Sequence, residues 1–344
     1  MTSKNLLVLA VALLMFPQLA QTLYSPALGD IGQAFAVGPE RAGQTLSVYF
    51  LAFALGVVVW GRLCDRWGRR PVMLAGLGLY VAATLLALSV STFNGLLLAQ
   101  AIAAFGAAVG SVATQTLLRD RFHGAQLGQV FSVMGIALAA SPALGLFSGA
   151  TLVQYAGYRG MLAGLLVMAA VLWAACVWAL PETRPASLPT SPLGQTVGLM
   201  LRDAEVWRSV GLVAAFNIAL FGYYSVGPFV FTRLGLSAAE FGYSGVLLAL
   251  GSGLGAWLNK ALLKRGMNGE QLVLAAAGVA LLGGLSVLLL QDSWLFVWPM
   301  LLVVLAFGMA IPNVLGAALV AYQDRLGTAA AVFGLLYYLV MAPG

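Results

Sequence analysis

Between Ala42 and Gly61, and again between Pro71 and Leu118, the chain carries no charged residue. A helix crosses a bilayer with about 20 predominantly apolar residues, so the second run is long enough to cross twice. Between the runs stands Gly61-Arg62-Leu63-Cys64-Asp65-Arg66-Trp67-Gly68-Arg69-Arg70, a dense knot of charge. This alternation leaves one class of fold: apolar helices that satisfy their own backbone groups in lipid, joined by short charged loops. Charge-free stretches recur and predict eleven spans, near 5–28, 42–60, 72–90, 94–117, 127–152, 160–180, 209–231, 241–259, 271–290, 294–320 and 328–344. Charged residues make up only 8% of the chain, against about a quarter in soluble domains. A soluble protein is excluded.

The net charge of +6 does not point to nucleic acid, because the basic residues sort by side of the membrane. With the N-terminus inside, 14 of the 17 Lys and Arg fall in inner loops, and only Arg41, Arg159 and Arg233 lie outside. That bias is the positive-inside rule. It predicts a multi-pass protein of a bacterial cytoplasmic membrane with a cytoplasmic N-terminus. Cys64 and Cys176 give no disulfide framework. The run after Lys4 imitates a signal peptide, but it is long and lacks a small-x-small cleavage site, so it reads as an uncleaved first span. No cluster with metal-ligand spacing is present, and neither a metal nor a cofactor is expected.

The stretch from Pro181 to Glu205, with prolines at 185, 189 and 192, reads as a linker between two halves. The expected organisation is an N-terminal six-helix bundle over 1–181, a cytoplasmic linker over 182–205 and a C-terminal bundle over 206–344. The halves echo one another weakly. Gly61-x-x-x-Asp65-Arg66-x-x-x-Arg70 returns as Gly255-x-x-x-Asn259-Lys260-x-x-x-Lys264. Two pseudo-symmetric bundles of this kind form a transporter architecture with its substrate site near the bilayer midplane.

The loop 61–71 resembles the signature loop of the major facilitator superfamily. More narrowly, the chain is similar to drug:proton antiporters of the Bcr/CflA and EmrD type. That narrower likeness rests on Gln18-x-x-Gln21-Thr22-x-Tyr24-x-Pro26-Ala27, on Arg119-Asp120, on Ser141-Pro142-Ala143-Leu144-Gly145 and on Pro181-Glu182-Thr183-Arg184. The resemblance implies an all-α fold, a monomer, and Ser141, Pro142 and Gly145 as an antiporter motif. It also implies a gating role for Gly61, Asp65, Arg66, Gly68, Arg69 and Arg70, with Asp65 latching onto the start of span eleven near Gly327-Thr328. The plain alternative is that the loop only fixes topology. Gly61 is expected to let helix two end close to its neighbour, and Gly68 to take a turn with positive φ. Three positions depart from the family. Gln100 and Gln115 stand where many members carry arginine, and Thr22 stands where many carry aspartate. Members have twelve spans, whereas this sequence ends at Pro343-Gly344 with the eleventh. A truncated C-terminal bundle of five spans is therefore expected.

Polar side chains inside spans are costly in lipid unless they face the bundle interior. Span one carries Gln18, Gln21, Thr22 and Ser25 at i, i+3, i+4 and i+7, one helical face. Span two adds Tyr49 and Phe53, span four Gln100 and Gln115, span seven Asn217, Phe221 and Tyr224, and span ten Trp298 and Asn313. The resemblance places spans one, four, seven and ten around the cavity. Taken singly, each amide reads equally well as an interhelical hydrogen bond, worth about 0.6 kcal/mol. A charge-free cavity of amides and aromatic rings suits amphipathic neutral or cationic small molecules. Asp30, at the outer end of span one, is the candidate proton carrier, and its plain reading is an interfacial charge. His123 reads as a solvated loop residue. The expected function is proton-coupled efflux of amphipathic drugs by alternating access. Two alternatives stay open: an exporter dedicated to one metabolite (a nucleoside or sugar), and a truncated remnant that transports nothing. No His pair, acid pair or activated serine supports an intramembrane enzyme.

Overall fold

The apolar runs form long helices whose ends are set by identifiable residues. The computed structural model describes residues 3–122, 124–184 and 193–341. Within these ranges the side chains of 3, 4, 124–129, 131, 132, 135, 136, 139, 193 and 323–328 lie outside the description. The described residues fall into two units, Met1–Thr190 and Ser191–Gly344.

In the first unit, α1 spans Ser3–Tyr24. Pro26 has no N–H to continue it, and a 3-10 turn over Ser25–Ala27 leads into the short α2, Leu28–Ala34. Then come α3 (Pro39–Trp67), α4 (Arg69–Ser89), α5 (Phe93–Arg121) and α6 (Gly124–Ala179). Pro39 opens α3 where a missing N–H costs nothing. The Thr92 hydroxyl caps α5 by accepting from Gly95 N at 3.2 Å. Helix α5 is the hub, packing along α3, α4 and α1, while α6 runs beside α1 and α4.

In the second unit, α7 (Leu193–Arg202) precedes α8 (Ala204–Arg233), α9 (Ala238–Lys264), α10 (Gly269–Leu290), α11 (Val297–Ala318) and α12 (Leu326–Met341). Ser237 with Glu240 and Asn268 with Gln271 form reciprocal capping boxes at α9 and α10. Here α11 is the hub, along α9, α10 and α8, so the fourth span of each half plays the same part. The α8–α9 turn places Gly235 at φ 75. The corresponding α2–α3 turn in the first unit places Ala36 at φ 51. An L-residue pays about 1–2 kcal/mol in that region, partly offset by the greater chain entropy of glycine. We expect Ala36→Gly to leave stability unchanged or raise it slightly in thermal unfolding. A clear fall would contradict the shared-turn assignment.

One expectation needs correction. Helix two does not end at Gly61 but continues to Trp67, and a Cβ at Gly61 would meet Val112 only in ordinary contact, at 3.5 Å. Charged residues mark where the lipid ends; the helix runs on, because nothing in Arg62-Leu63-Cys64-Asp65 breaks it. Spans five and six are two helices that meet at a sharp non-helical kink at Gly157, with φ 61 and ψ −167. The segment 182–205 contains α7 and the start of α8, although residues 185–192 lie outside the described ones. Finally, nine helices among the described residues are long and apolar enough to cross a membrane, with a shorter apolar helix at Ala329–Met341. That figure runs Ala140–Ala179 together across the Gly157 kink and sets aside the short last helix, so it does not contradict the eleven spans expected.

Candidate functional site

The charged knot becomes a cluster tying together the ends of four helices, α3, α4, α5 and α6. Gly68, at φ 98, breaks α3 from α4, and a Cβ there would collide with the Glu182 carboxylate. That carboxylate occupies the start of α4, whose first N–H groups have no partner within the helix. Glu182 Oε1 accepts from Arg69 N at 2.9 Å, and Oε2 accepts from Arg70 N at 3.1 Å. Thr183 N and Arg184 N add two bonds of 2.9 Å to Oε1.

The Arg69 side chain turns inward and is 2% exposed. Its Nε donates to Asp120 Oδ2 at 2.7 Å and its Nη2 to Asp120 Oδ1 at 3.3 Å, a two-pronged pair. Nη1 donates to Cys64 O at 3.0 Å. Thr183 Oγ1 also donates to Asp120 Oδ2, at 2.9 Å. Arg70 Nη2 reaches Val177 O at the end of α6, at 2.7 Å. Asp65 stands apart from this core: it is 58% exposed at the side chain and 3.8 Å from Arg69. Arg62 and Arg66 are exposed. The buried partner in the knot is therefore Asp120, and the residue that caps a helix is Glu182 rather than Asp65. The expected latch residue Thr328 lies among the side chains not described.

Burial pulls the Glu182 carboxyl upward, yet the N–H groups of Arg69, Arg184, Arg70 and Thr183 outweigh it and hold the group below its ordinary range. A carboxyl lowered in the fold stabilises it fully above its unfolded value, about 4.3, and loses that effect as pH falls through the folded value. Wild type should therefore unfold at a higher temperature than Glu182→Gln at neutral pH, and the gap should close below about pH 4. A gap unchanged by pH would contradict the capping role.

Within the spans of the first unit, the expected stripe on span one divides. Gln18 is half-buried, whereas Gln21, Thr22 and Ser25 are buried. Thr22 Oγ1 donates back to Gln18 O at 2.8 Å and faces α6, where a Cβ at Gly145 would overlap it. Thus Thr22 and Gly145 form a packing seam between α1 and α6. Ser141 is also buried and donates to Ala137 O at 2.8 Å; Pro142 lies one residue on within α6. The Tyr49 hydroxyl donates to Pro17 O at 2.6 Å, and the Tyr49 ring stacks on Phe53 at 5.9 Å. Gln115 donates to Ser111 at 3.3 Å. Gln100 is buried at 3% exposure. Asp30 is half-buried in the first turn of α2, where a Cβ at Gly157 would lie 3.2 Å from its carboxylate.

In the second unit, Phe221 meets Tyr224 edge-on at 5.6 Å. Asn217 donates to Val213 O on its own helix at 2.7 Å. Asn313 Nδ2 donates to Asn259 Oδ1 at 2.7 Å and to Met309 O at 2.8 Å, so its amide joins α11 to α9. Trp298 is 52% exposed. Sequence reasoning missed Tyr223, which shares a hydrogen of 2.5 Å with Ser244 and packs its ring against Phe241. It also missed Tyr24, although its position three residues after Gln21 was a signal. His123 lies outside the described residues. Among the described residues no group of three or more His, Cys, Asp or Glu is placed to hold a metal ion.

The family described as Major Facilitator Superfamily matches residues 10–344. An uncharacterized transporter of Rickettsia bellii is 30% identical over 341 residues, covering 94% of this chain and 84% of that one. Multidrug resistance protein D of Escherichia coli (strain K12) is 29% identical over 340 residues, covering 96% of this chain and 84% of that one. The crystal structure of a D-xylose-proton symporter superposes with a TM-score of 0.76 at 16% identity, covering 98% of this chain and 88% of that chain, a likeness of fold.

Proposed function

We propose a function from one premise: the chain belongs to the Major Facilitator Superfamily. As a transporter of that family it moves small molecules across a lipid bilayer and is not an enzyme. Our reading of its cargo is amphipathic drugs and other toxic small molecules, expelled by alternating access at the expense of a proton gradient. The observation that carries this is the character of the spans' polar positions. The candidate positions are uncharged amides and aromatic rings: buried Gln21 and Gln100 in one unit, half-buried Asn217 and Phe221 with buried Tyr224 in the other. Side chains of this kind bind through apolar area and a few adaptable hydrogen bonds, which suits weakly specific ligands. The full-length similarity to Multidrug resistance protein D supports the same reading.

Asp30 is our candidate for the proton carrier, since it is a half-buried carboxylate beside the bend of α6. We place the chain in a bacterial cytoplasmic membrane with its N-terminus inside, on the distribution of its basic residues, and as a monomer on the family resemblance. A second reading, export of a single neutral metabolite such as a nucleoside or sugar, draws on the same uncharged amides.

The test is drug accumulation in bacteria stripped of their own exporters. Cells making this chain should hold several-fold less of a neutral drug than cells making Gln21→Ala, and several-fold less of a neutral drug and of a lipophilic cation than cells making Tyr224→Ala. Equal accumulation with wild type and variants, at equal protein levels, would refute the assignment of these residues to the binding site.

A further inference from the structure

Four side-chain atoms of described residues in the first unit are buried without a partner, on Gln21, Tyr24, Gln100 and Thr114, the last lying beyond Gly110 from Gln100 along α5. Gln21 is 3% exposed, Tyr24 1% and Gln100 3%. Among the described residues, the Gln21 Nε2, the Tyr24 hydroxyl and the Gln100 Nε2 make no hydrogen bond. Buried polar groups are nearly always satisfied, so such atoms in adjacent helices call for an explanation.

The packing of α1 on α5 brings them to one level. A Cβ at Gly110 would stand 2.6 Å from Leu13 O, which fixes where the helices cross. Pro17 has no N–H to offer that carbonyl, so it faces the bare glycine instead. The helices are antiparallel there. Going forward along α1, Phe16 meets Tyr80 at 4.7 Å. Going backward along α5, Gly106 meets the backbone of the same Tyr80. From the crossing, Gln21 and Tyr24 lie about 12 and 16 Å along α1, and Gln100 about 15 Å back along α5. By helical rotation all three fall within about a quarter turn of the side facing the other helix. Thr22 falls on the opposite side of α1, where Gly145 of α6 meets it.

We propose that Gln21, Tyr24 and Gln100 form an uncharged donor subsite within the first unit that takes a neutral ligand through its carbonyl, ether or hydroxyl oxygens. The proposal rests on the efflux reading and names the substrate class for it. Two amide N–H groups and a phenol O–H present hydrogens, which attract an acceptor oxygen and repel a cation. The orphaned atoms are those a ligand would satisfy, and a ligand lacking acceptors would leave them unpaired. The subsite therefore favours oxygen-bearing neutral compounds over lipophilic cations.

The experiment measures binding of two probes to purified protein in detergent: chloramphenicol, neutral and rich in acceptors, and tetraphenylphosphonium, a cation without them. The variants are Tyr24→Phe, which deletes one oxygen, and Gln100→Met, which keeps length. The melting temperature of the unliganded protein controls for folding. It should hold or rise, because an unpaired buried polar group has been removed. Each variant should weaken chloramphenicol by about 2- to 10-fold, the weight of one neutral hydrogen bond, and leave tetraphenylphosphonium unchanged. Unchanged chloramphenicol binding, or an equal loss for both probes, overturns the subsite while the efflux reading stands. Failure of folded wild type to bind either probe overturns the efflux reading and the subsite with it.

Discussion

Asp120→Ala is expected to lower the stability of the first unit by about 3 kcal/mol, the lower end of the range for a broken buried pair. The Arg69 guanidinium would remain 2% exposed with its two-pronged partner gone. The low end applies because Cys64 O at 3.0 Å, and more weakly Asp65 at 3.8 Å, would still receive Nη1. Asp65→Asn is the contrast. Its side chain is 58% exposed, and exposed pairs contribute about 0–1 kcal/mol. Denaturant unfolding in detergent, followed by helical signal, separates the two. Replacing both members of the pair, as Arg69→Met with Asp120→Ala, should recover much of the loss, since no charge is then stranded. If Asp65→Asn proved the more damaging variant, the strong partner in the signature loop would be Asp65. If Asp65→Asn also left the balance of inward- and outward-facing states unchanged, the latch role proposed for Asp65 would fail.

The second large effect is expected at Gly145. An added Cβ would overlap the Thr22 hydroxyl and stand 2.8 Å from its Cβ, with the Leu19 carbonyl at 3.4 Å behind it. Helices in lipid gain little from hiding apolar surface against one another and associate by close packing of small residues. Gly145→Ala should therefore cost about 1–3 kcal/mol through overpacking and should lower transport by pushing α6 off α1. Gly43→Ala is the control, with nothing within 4 Å of its Cβ position inside α3. Relief of glycine's entropy there should stabilise by about 0.5–1 kcal/mol. Opposite signs at the two positions are the expected result. The same sign at both would mean that the α1–α6 seam tolerates more volume than its geometry allows.

The class of fold was legible because long charge-free runs have one physical solution in lipid. The family was legible because the signature loop keeps its spacing of glycine, acid and arginine. Helix ends were less so. Arg62-Leu63-Cys64-Asp65 looked like a loop because charge marks the membrane boundary, yet only Gly68, in a backbone region that favours glycine, stops α3. The break between spans five and six was legible from Arg159, and Gly157 supplies the non-helical backbone there. At the candidate site, periodicity put Gln18, Gln21, Thr22 and Ser25 on one face of α1. It could not reveal that α6 covers Thr22 or where α1 crosses α5. Those facts depend on Gly145 and Gly110, remote in sequence from the residues they meet. Glu182 and Asp120 were visible as parts of motifs, but their roles needed the geometry that brings three other helix ends to Arg69.

The most direct test of the transport mechanism is proton movement in energised inside-out vesicles from cells making this chain, challenged in turn with a neutral drug, a lipophilic cation and a nucleoside. The account predicts a partial collapse of the proton gradient when the drug is added, absent from vesicles lacking the protein and weakened by Asp30→Asn. Uptake of drug into those vesicles with no movement of protons would contradict it.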